Sequence, residues 1–277
     1  MGQSAILDIK DLHFFYTPGD KILKGLNFEI DERSTAIIGQ NGAGKTTFVK
    51  LLKGLLRPTS GTILFEGRDI AGLTVAQLAK HVGLVFQNPN DQIFKNRVID
   101  EVMFGPLRIG IKEAEAMQKA EEALKLLGLS EVADKNPYDL GLSNRKLVAI
   151  ASILAMDTKV IILDEPTIAQ DYHGKELIKA LIRMLRAEGK TVITIIHDMD
   201  FVAETFERTI VFAQGNILLD GTTREVFAQK DILEQAYLEQ PSVTKLCHSL
   251  GYQEIFLTAE EFVAYQKDHF ERQEYNV

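Results

Sequence analysis

The nine residues Gly39-Gln40-Asn41-Gly42-Ala43-Gly44-Lys45-Thr46-Thr47 constrain this chain more than any other stretch. They follow the apolar run STAII (34–38) and open a helix-forming segment from Lys45 to about Lys53, stopped by Gly54 and then Pro58. Glycines at this spacing let the backbone curl so that successive N–H groups face inward, and the positive end of the following helix reinforces them. The cradle fits the phosphates of a nucleoside triphosphate: Lys45 reaches the β- and γ-phosphates and the Thr46 hydroxyl ligates Mg2+. A dinucleotide fingerprint is disfavoured, because Thr47 holds the position of its third glycine.

The surrounding pattern predicts strands over 5–16, 21–30, 34–38 and 61–67, which are rich in β-branched and aromatic residues between turn signals. From Thr74 to about Arg145 helical spacing prevails, most plainly in KEAEAMQKAEEALKLLG (112–128), whose Glu- and Lys-rich face is expected to be solvated. Two continuous apolar runs, VIILDE (160–165) and TVITIIH (191–197), flank an amphipathic helix within 175–188 and read as parallel strands covered on both faces. A last strand pair, 209–215 and 217–221, is expected to turn at Gly215-Asn216. The segment 230–277 is helical in pattern, with Thr258 and Glu261 at capping-box spacing. The expectation is an α/β domain over 1–229, with a helical subdomain at about 88–150 and a C-terminal extension over 230–277.

The run VIILD ends in Asp164-Glu165, which places two carboxylates at the carboxyl edge of a parallel sheet, where such folds bind ligands. Asp164 is suited to hold Mg2+ through its water shell and Glu165 to polarise an attacking water. At 277 residues the chain accommodates one large domain and a small appendage. A formal charge of −8 repels phosphate backbones and argues against nucleic-acid binding. The single cysteine, Cys247, forms no internal disulfide and reads as a small apolar filler, and the six histidines show no metal-ligand spacing. The longest apolar stretch, Leu147 to Met156, is interrupted by Ser152 and is half the roughly 20 residues a spanning helix needs. The first residues carry neither a basic leader nor an apolar core, so neither membrane crossing nor export is expected.

With these motifs in this order, residues 5–225 resemble the ATP-binding-cassette (ABC) ATPases. The resemblance implies a P-loop NTPase fold with a mixed-sheet core, an antiparallel β subdomain and a helical subdomain, acting on ATP with Mg2+. It implies that Tyr16 stacks on adenine, that Gln87 touches the metal and the attacking water and signals to a membrane partner, and that His197 contacts the γ-phosphate and orients Glu165. Asp171 in IAQD (168–171) matches the loop that communicates across a two-subunit interface. The family's signature, Leu-Ser-Gly-Gly-Gln, closes over ATP held by the partner subunit. Here it reads Leu140-Gly141-Leu142-Ser143-Asn144, so the serine is a glycine, both glycines are filled and the glutamine is Asn144. A register shifted to Leu142-Ser143 keeps the serine but continues Asn144-Arg145-Lys146. Ser143 and these two cations, Arg145 and Lys146, are candidates to compensate at the γ-phosphate. The chain's own site is therefore expected to work when closed by an intact partner signature, and the opposite site to be slower.

VFQNPNDQIF (85–94) and VIDEVMFGPLRIG (98–110) are similar to the energy-coupling-factor ATPases that drive uptake of cobalt and vitamins. The tail resembles the extension through which those ATPases meet. This implies a peripheral subunit at the cytoplasmic face of the membrane, paired with a second ABC ATPase. A heterodimer is favoured over a homodimer, with an integral coupling subunit and a substrate-binding membrane subunit as further partners. Two alternatives are weaker. A soluble ABC protein of ribosomes or chromosomes would need a second cassette or a long coiled coil, and a regulator with weak hydrolysis would not need Glu165, Gln87 and His197.

Overall fold

The computed structural model describes residues 5–274, and two sheets organise it. Strands β1 (Leu7–Phe15), β2 (Lys21–Ile30), β4 (Ser60–Phe65) and β5 (Arg68–Asp69) form an antiparallel sheet in the order β2-β1-β4-β5. Strands β3 (Thr35–Gly39), β6 (Val82–Val85), β7 (Val160–Asp164), β8 (Thr191–Ile195), β9 (Arg208–Ala213) and β10 (Asn216–Thr222) form the second, ordered β10-β9-β3-β8-β7-β6. In it the strands from β9 to β6 are parallel, and β10 returns antiparallel on β9. Every residue of β3, β7 and β8 is buried, which explains their unbroken apolar runs: helices or the other sheet cover both faces.

Helix α1 (Lys45–Leu52) lies between the sheets. Its Phe48 is fully buried and meets Phe28 of β2 and Phe212 of β9 at ring-centroid distances of 5.4 and 5.5 Å. Burying such a ring stabilises by about 1.5–3 kcal/mol and holds the start of α1 against β3. After β5 comes the short helix α2 (Val75–Leu78), whose N-terminus is closed by a capping box between Thr74 and Gln77. Between β6 and β7 the chain leaves the sheet for helices α3 (Val98–Arg108), α4 (Glu113–Leu126) and α5 (Leu142–Leu154). Helix α4 buries Ala116, Ala120, Ala123 and Leu124 and turns most of its Glu and Lys residues to solvent. Helices α6 (Tyr172–Ala187) and α7 (Met199–Thr205) flank β8.

Helices α8 (Thr223–Ala228), α9 (Lys230–Gln235), α10 (Ser242–Ser249) and α11 (Ala259–Glu274) follow β10. Phe227, Leu233, Ala236 and Leu238 join the same apolar cluster as α5, α6 and the sheet. Cys247 is free and buried. At the start of α11 only half of the expected capping box forms. The Thr258 hydroxyl accepts from Glu261 N at 3.2 Å, while the Glu261 carboxylate takes the N–H of Leu257 instead. Among the described residues no helix is long and apolar enough to cross a membrane.

Two local expectations are corrected. Strand β6 falls within the segment expected to be helical. Four residues, VGLV, are too short to show a period; pairing with β7 in the register Val82↔Val160 to Val85↔Leu163 makes the strand. Helix α5 rests on it so closely that a Cβ on Gly83 would sit 2.4 Å from Ile153. The β9–β10 turn is Gln214-Gly215 rather than Gly215-Asn216, because both residues take left-handed φ (48° and 80°) as a two-residue hairpin with the proper twist requires.

Candidate active site

Strand β3 delivers the glycine-rich loop to the carboxyl edge of the large sheet. Gly39 ends the strand at φ 151°, and a Cβ there would stand 2.2 Å from the carbonyl oxygen of Phe212 on β9, so no other residue fits without moving a strand. Gly44 precedes the first turn of α1, whose free N–H groups face the loop. Lys45 is buried and its Nζ donates to the carbonyls of Gly39 (2.7 Å) and Gln40 (2.8 Å), bracing the loop from inside. Burial lowers the Lys45 pKa, and the charges of Glu165 and Asp164 pull it back.

Strand β7 carries Asp164 to the same edge. Its Oδ2 accepts from the Thr46 hydroxyl at 3.4 Å, whereas its Oδ1 is buried with no hydrogen-bond partner. Burial first, and the Glu165 charge second, push this carboxyl up to about 6 against the opposing pull of Lys146, Thr46 and Lys45. A buried carboxylate oxygen without a donor beside a threonine hydroxyl is a hard-oxygen donor set. It fits Mg2+, which keeps water and phosphate oxygens as its other ligands. Among the described residues no cluster of three or more His, Cys, Asp or Glu could hold a metal independently.

Glu165 follows with a left-handed backbone (φ 48°) and donates its N–H to the carbonyl of Ile195 on β8. Strained φ of this kind in a non-glycine residue costs about 1–3 kcal/mol and clusters at functional sites. His197, two residues beyond β8, places Nε2 3.1 Å from Glu165 Oε1. A cavity of about 300 Å3 beside these groups is lined by Tyr16, Asn41, Lys45, Thr46, Gln87 and Glu165 among others. Tyr16 is 59% exposed at its rim, its hydroxyl 3.3 Å from Thr47 Oγ1 and its ring edge-on to Phe14. The fold thus gathers Tyr16, loop residues from Asn41 to Thr47, Gln87 and Glu165 around one cavity, with Asp164 behind Thr46 and His197 on Glu165.

The signature residues and Asp171 lie elsewhere. Gly141 caps the N-terminus of α5 with room for a side chain, Leu142 is 44% exposed, and neither they, Ser143 nor Asn144 lines the cavity. Ser143 is tied down: its hydroxyl donates to Gln170 Oε1 at 3.0 Å, and the Gln170 amide returns a bond to the Ser143 carbonyl. Asp171 caps α6 by accepting from Gly174 N at 2.8 Å.

The structure takes Lys146, though not Arg145, away from the signature surface where it was expected to compensate. Arg145 is bound to Asn90 Oδ1 and the Leu140 carbonyl and lies over the Tyr138 ring. Lys146 points inward, 1% exposed, and burial pushes its ammonium down to about 8 against the pull of Asp164 and Glu165. Its importance was hidden, since a lysine at the head of the apolar run LVAIASIL looks like the polar edge of a helix. Gln170, which clamps Ser143, gives no sequence signal either, since a glutamine between two elements carries no pattern.

A family model described as ABC transporter matches residues 23–168. The energy-coupling factor transporter ATP-binding protein EcfA of Methanoculleus marisnigri is 41% identical over 247 residues, 88% of this chain and 89% of that protein. The solved structure of CbiO1 from Clostridium perfringens, described as part of the ABC transporter complex cbiONQ, aligns with a TM-score of 0.75 at 34% identity. It covers 90% of this chain and all of that one. A dimeric ATP-binding cassette in a post-hydrolysis state with ADP and phosphate aligns with a TM-score of 0.72 at 27% identity, over 79% of this chain and 99% of that one. By sequence and by fold, this chain belongs to the ABC transporter ATP-binding family, the ATPases whose hydrolysis is coupled to transport, and resembles its energy-coupling-factor members.

Proposed function

We propose that this chain is the ATP-hydrolysing subunit of an energy-coupling-factor importer, seated peripherally at the cytoplasmic face of the membrane and driving uptake of a vitamin or transition-metal ion. The observation that carries the hydrolytic part is the Glu165–His197 pair at 3.1 Å, set beside the phosphate loop and the partnerless oxygen of Asp164. The loop amides and Lys45 hold the phosphates, Tyr16 stacks on the base, and Thr46, Asp164 and Gln87 are the groups that would hold Mg2+. Mg2+ held there would supply positive charge against that developing on the phosphates during transfer. Glu165 accepts a hydrogen bond from the attacking water, and His197 fixes the carboxylate in that orientation. Attack at the γ-phosphorus breaks its bond to the bridging oxygen, leaving ADP and phosphate.

The importer part is supported by the names of the relatives, EcfA and a component of the cbiONQ complex. It is also supported by a mostly apolar groove of about 250 Å3 between α2, α3 and α5, floored by Phe104 and Met156 and rimmed by the half-exposed Phe94. This groove, next to the segment that carries Gln87, takes a helical segment of an integral coupling subunit, with a substrate-binding membrane subunit completing the assembly. The pair of ATPases is a heterodimer: Gly141 and Leu142 leave this chain's signature short of the serine and glycine that would reach a partner's γ-phosphate. The dimerisation extension is the segment 230–277, of which 275–277 lie outside the described residues; Leu246, Leu250 and Val263, each about half exposed, offer an apolar surface for it.

Capturing the tagged chain from detergent-solubilised membranes of its host tests this reading. Co-purification of a transmembrane coupling subunit, a small membrane binding protein and a second ATPase is expected; recovery alone or with soluble machinery refutes the importer. Glu165→Gln is expected to bind ATP and stop turnover, and unchanged hydrolysis would show that another group is the base.

A further inference from the structure

Lysine is almost never fully buried unless a carboxylate accompanies it. Lys146 is 1% exposed on the second turn of α5 and is bonded to no carboxylate. Its three N–H donors instead meet three backbone carbonyls, those of Phe86 (2.8 Å), Gln87 (3.0 Å) and Asp164 (2.8 Å). An ammonium has three donors and no acceptor, so this match is complete.

The three acceptors share a structural origin. Strands β6 and β7 are neighbours in the sheet and both end here: Asp164 closes β7, and Phe86 and Gln87 follow the last residue of β6, so these carbonyls lie past the ladder, and that of the buried Asp164 would lack a donor. A second strut reinforces the first: Gln92 donates to the Ala149 carbonyl and the Ser152 hydroxyl on α5 and accepts the N–H of Phe86. Phe86 is therefore held to α5 through both of its peptide groups. The residues fixed in this way are the ones closest to the chemistry, since Gln87 lines the nucleotide cavity and Asp164 leads directly into Glu165.

We propose that Lys146 is a positioning residue for hydrolysis: its ammonium ties helix α5, which begins at the signature, to the backbones of Gln87 and Asp164-Glu165. The alignment of the hydrolytic carboxylate on the γ-phosphate then follows the position of α5. A displacement of the signature helix, as when a partner's nucleotide is engaged at its N-terminus, is passed to this chain's own site through Lys146, with Gln92 bracing Phe86 beside it. The inference rests on the ATPase reading above. Methionine at 146 fills similar space but leaves three carbonyls unpaired. Glutamine restores two donors but turns an oxygen toward the same acceptors. Arginine keeps the charge but spreads its donors in a plane that does not converge on three carbonyls.

The test uses the full chain in its purified assembly, with Lys146→Met, Lys146→Gln and Lys146→Arg compared by equilibrium ADP binding, kcat, KM for ATP and the Mg2+ concentration for half-maximal turnover. ADP affinity and KM should stay within about threefold of wild type, because Lys146 touches no group of the phosphate loop, while kcat falls about 10- to 100-fold in Lys146→Met. Lys146→Gln should fall between, and the Mg2+ midpoint should rise in both as the Asp164 backbone loosens. A role in stability alone would lower the melting temperature and leave kcat per folded molecule and the Mg2+ midpoint unmoved, and that result overturns the proposal. If Lys146→Met does not fold, Lys146→Gln decides by the same criteria. Wild-type turnover abolished by Glu165→Gln but kept by the Lys146 variants refutes only this inference. Absence of wild-type turnover refutes the ATPase reading and this inference with it.

Discussion

Restoring the signature is the perturbation with the clearest structural arithmetic. Gly141 caps α5 in an extended conformation (φ −64°, ψ 161°), and a Cβ built there meets nothing within 4 Å. A serine therefore enters without strain and adds a few tenths of a kcal/mol of capping. Leu142 is 44% exposed, so Leu142→Gly removes little packing and costs about 1 kcal/mol or less in helix propensity. The double variant Gly141→Ser/Leu142→Gly should fold like the wild type. In the dimer proposed above, its new hydroxyl and freed backbone are expected to face the γ-phosphate held by the partner subunit. One hydrogen bond to a charged group contributes about 1.5–3 kcal/mol, which if realised in the transition state is about 10- to 150-fold in rate. In a mixed pair the assay is made in a Glu165→Gln background, which silences this chain's own site so that residual phosphate release reports the site its signature closes. In a homodimer, turnover is read directly. An increase of at least about tenfold is expected. Residual turnover unchanged at equal nucleotide occupancy would show that Ser143, or the backbone as it stands, already supplies the missing contact, and the reasoning from the degenerate signature would fall.

Four further outcomes follow from the site and its supports. Because burial and Glu165 hold Asp164 up to about 6 rather than 3.8, protons compete with Mg2+ and the half-maximal Mg2+ concentration should climb as pH drops below about 6. The same shift makes the charged form costly in the metal-free fold, so Asp164→Asn should melt higher than wild type at pH 7, and the gap should close as pH falls toward 4. Gly39→Ala drives a Cβ against the Phe212 carbonyl, and a loss of about 3 kcal/mol or more, lowering Tm by about 6 °C or more, should appear in a thermal melt. Lys53 is partly buried, donates to the Val82 carbonyl and has its pKa lowered by burial to about 8, so its charge destabilises the fold below that pH and is relieved as pH rises toward 10.5. Lys53→Met should therefore raise the melting temperature at pH 7, by an equivalent of about 3 kcal/mol at most, with the advantage shrinking near pH 10.

The parts of the site legible in the sequence are those whose geometry is local. The loop from Gly39 to Thr47 is one strand–loop–helix unit, and Asp164-Glu165 terminates one apolar run, so neighbouring residues suffice to place them. Strand β6 was illegible because four apolar residues carry no period, and the turn at Gln214-Gly215 because glutamine gives no signal for left-handed φ. The inward turn of Lys146 is illegible for a different reason: helical spacing says which residues share a face, but not what lies opposite that face.

The sequence by itself determined that this chain binds a nucleoside triphosphate on an α/β sheet edge, and that its signature is altered, since each depends on contiguous residues. Only the tertiary structure decided that Glu165 and His197, far apart in sequence, stand 3.1 Å apart, and that Lys146 reaches carbonyls 60, 59 and 18 residues away. The strand order β3-β8-β7-β6 brings those chain segments to one edge, where parallel strands end together and leave carbonyls without ladder partners. A buried ammonium is stable only where such acceptors converge, and that convergence is a property of the sheet rather than of any stretch of sequence.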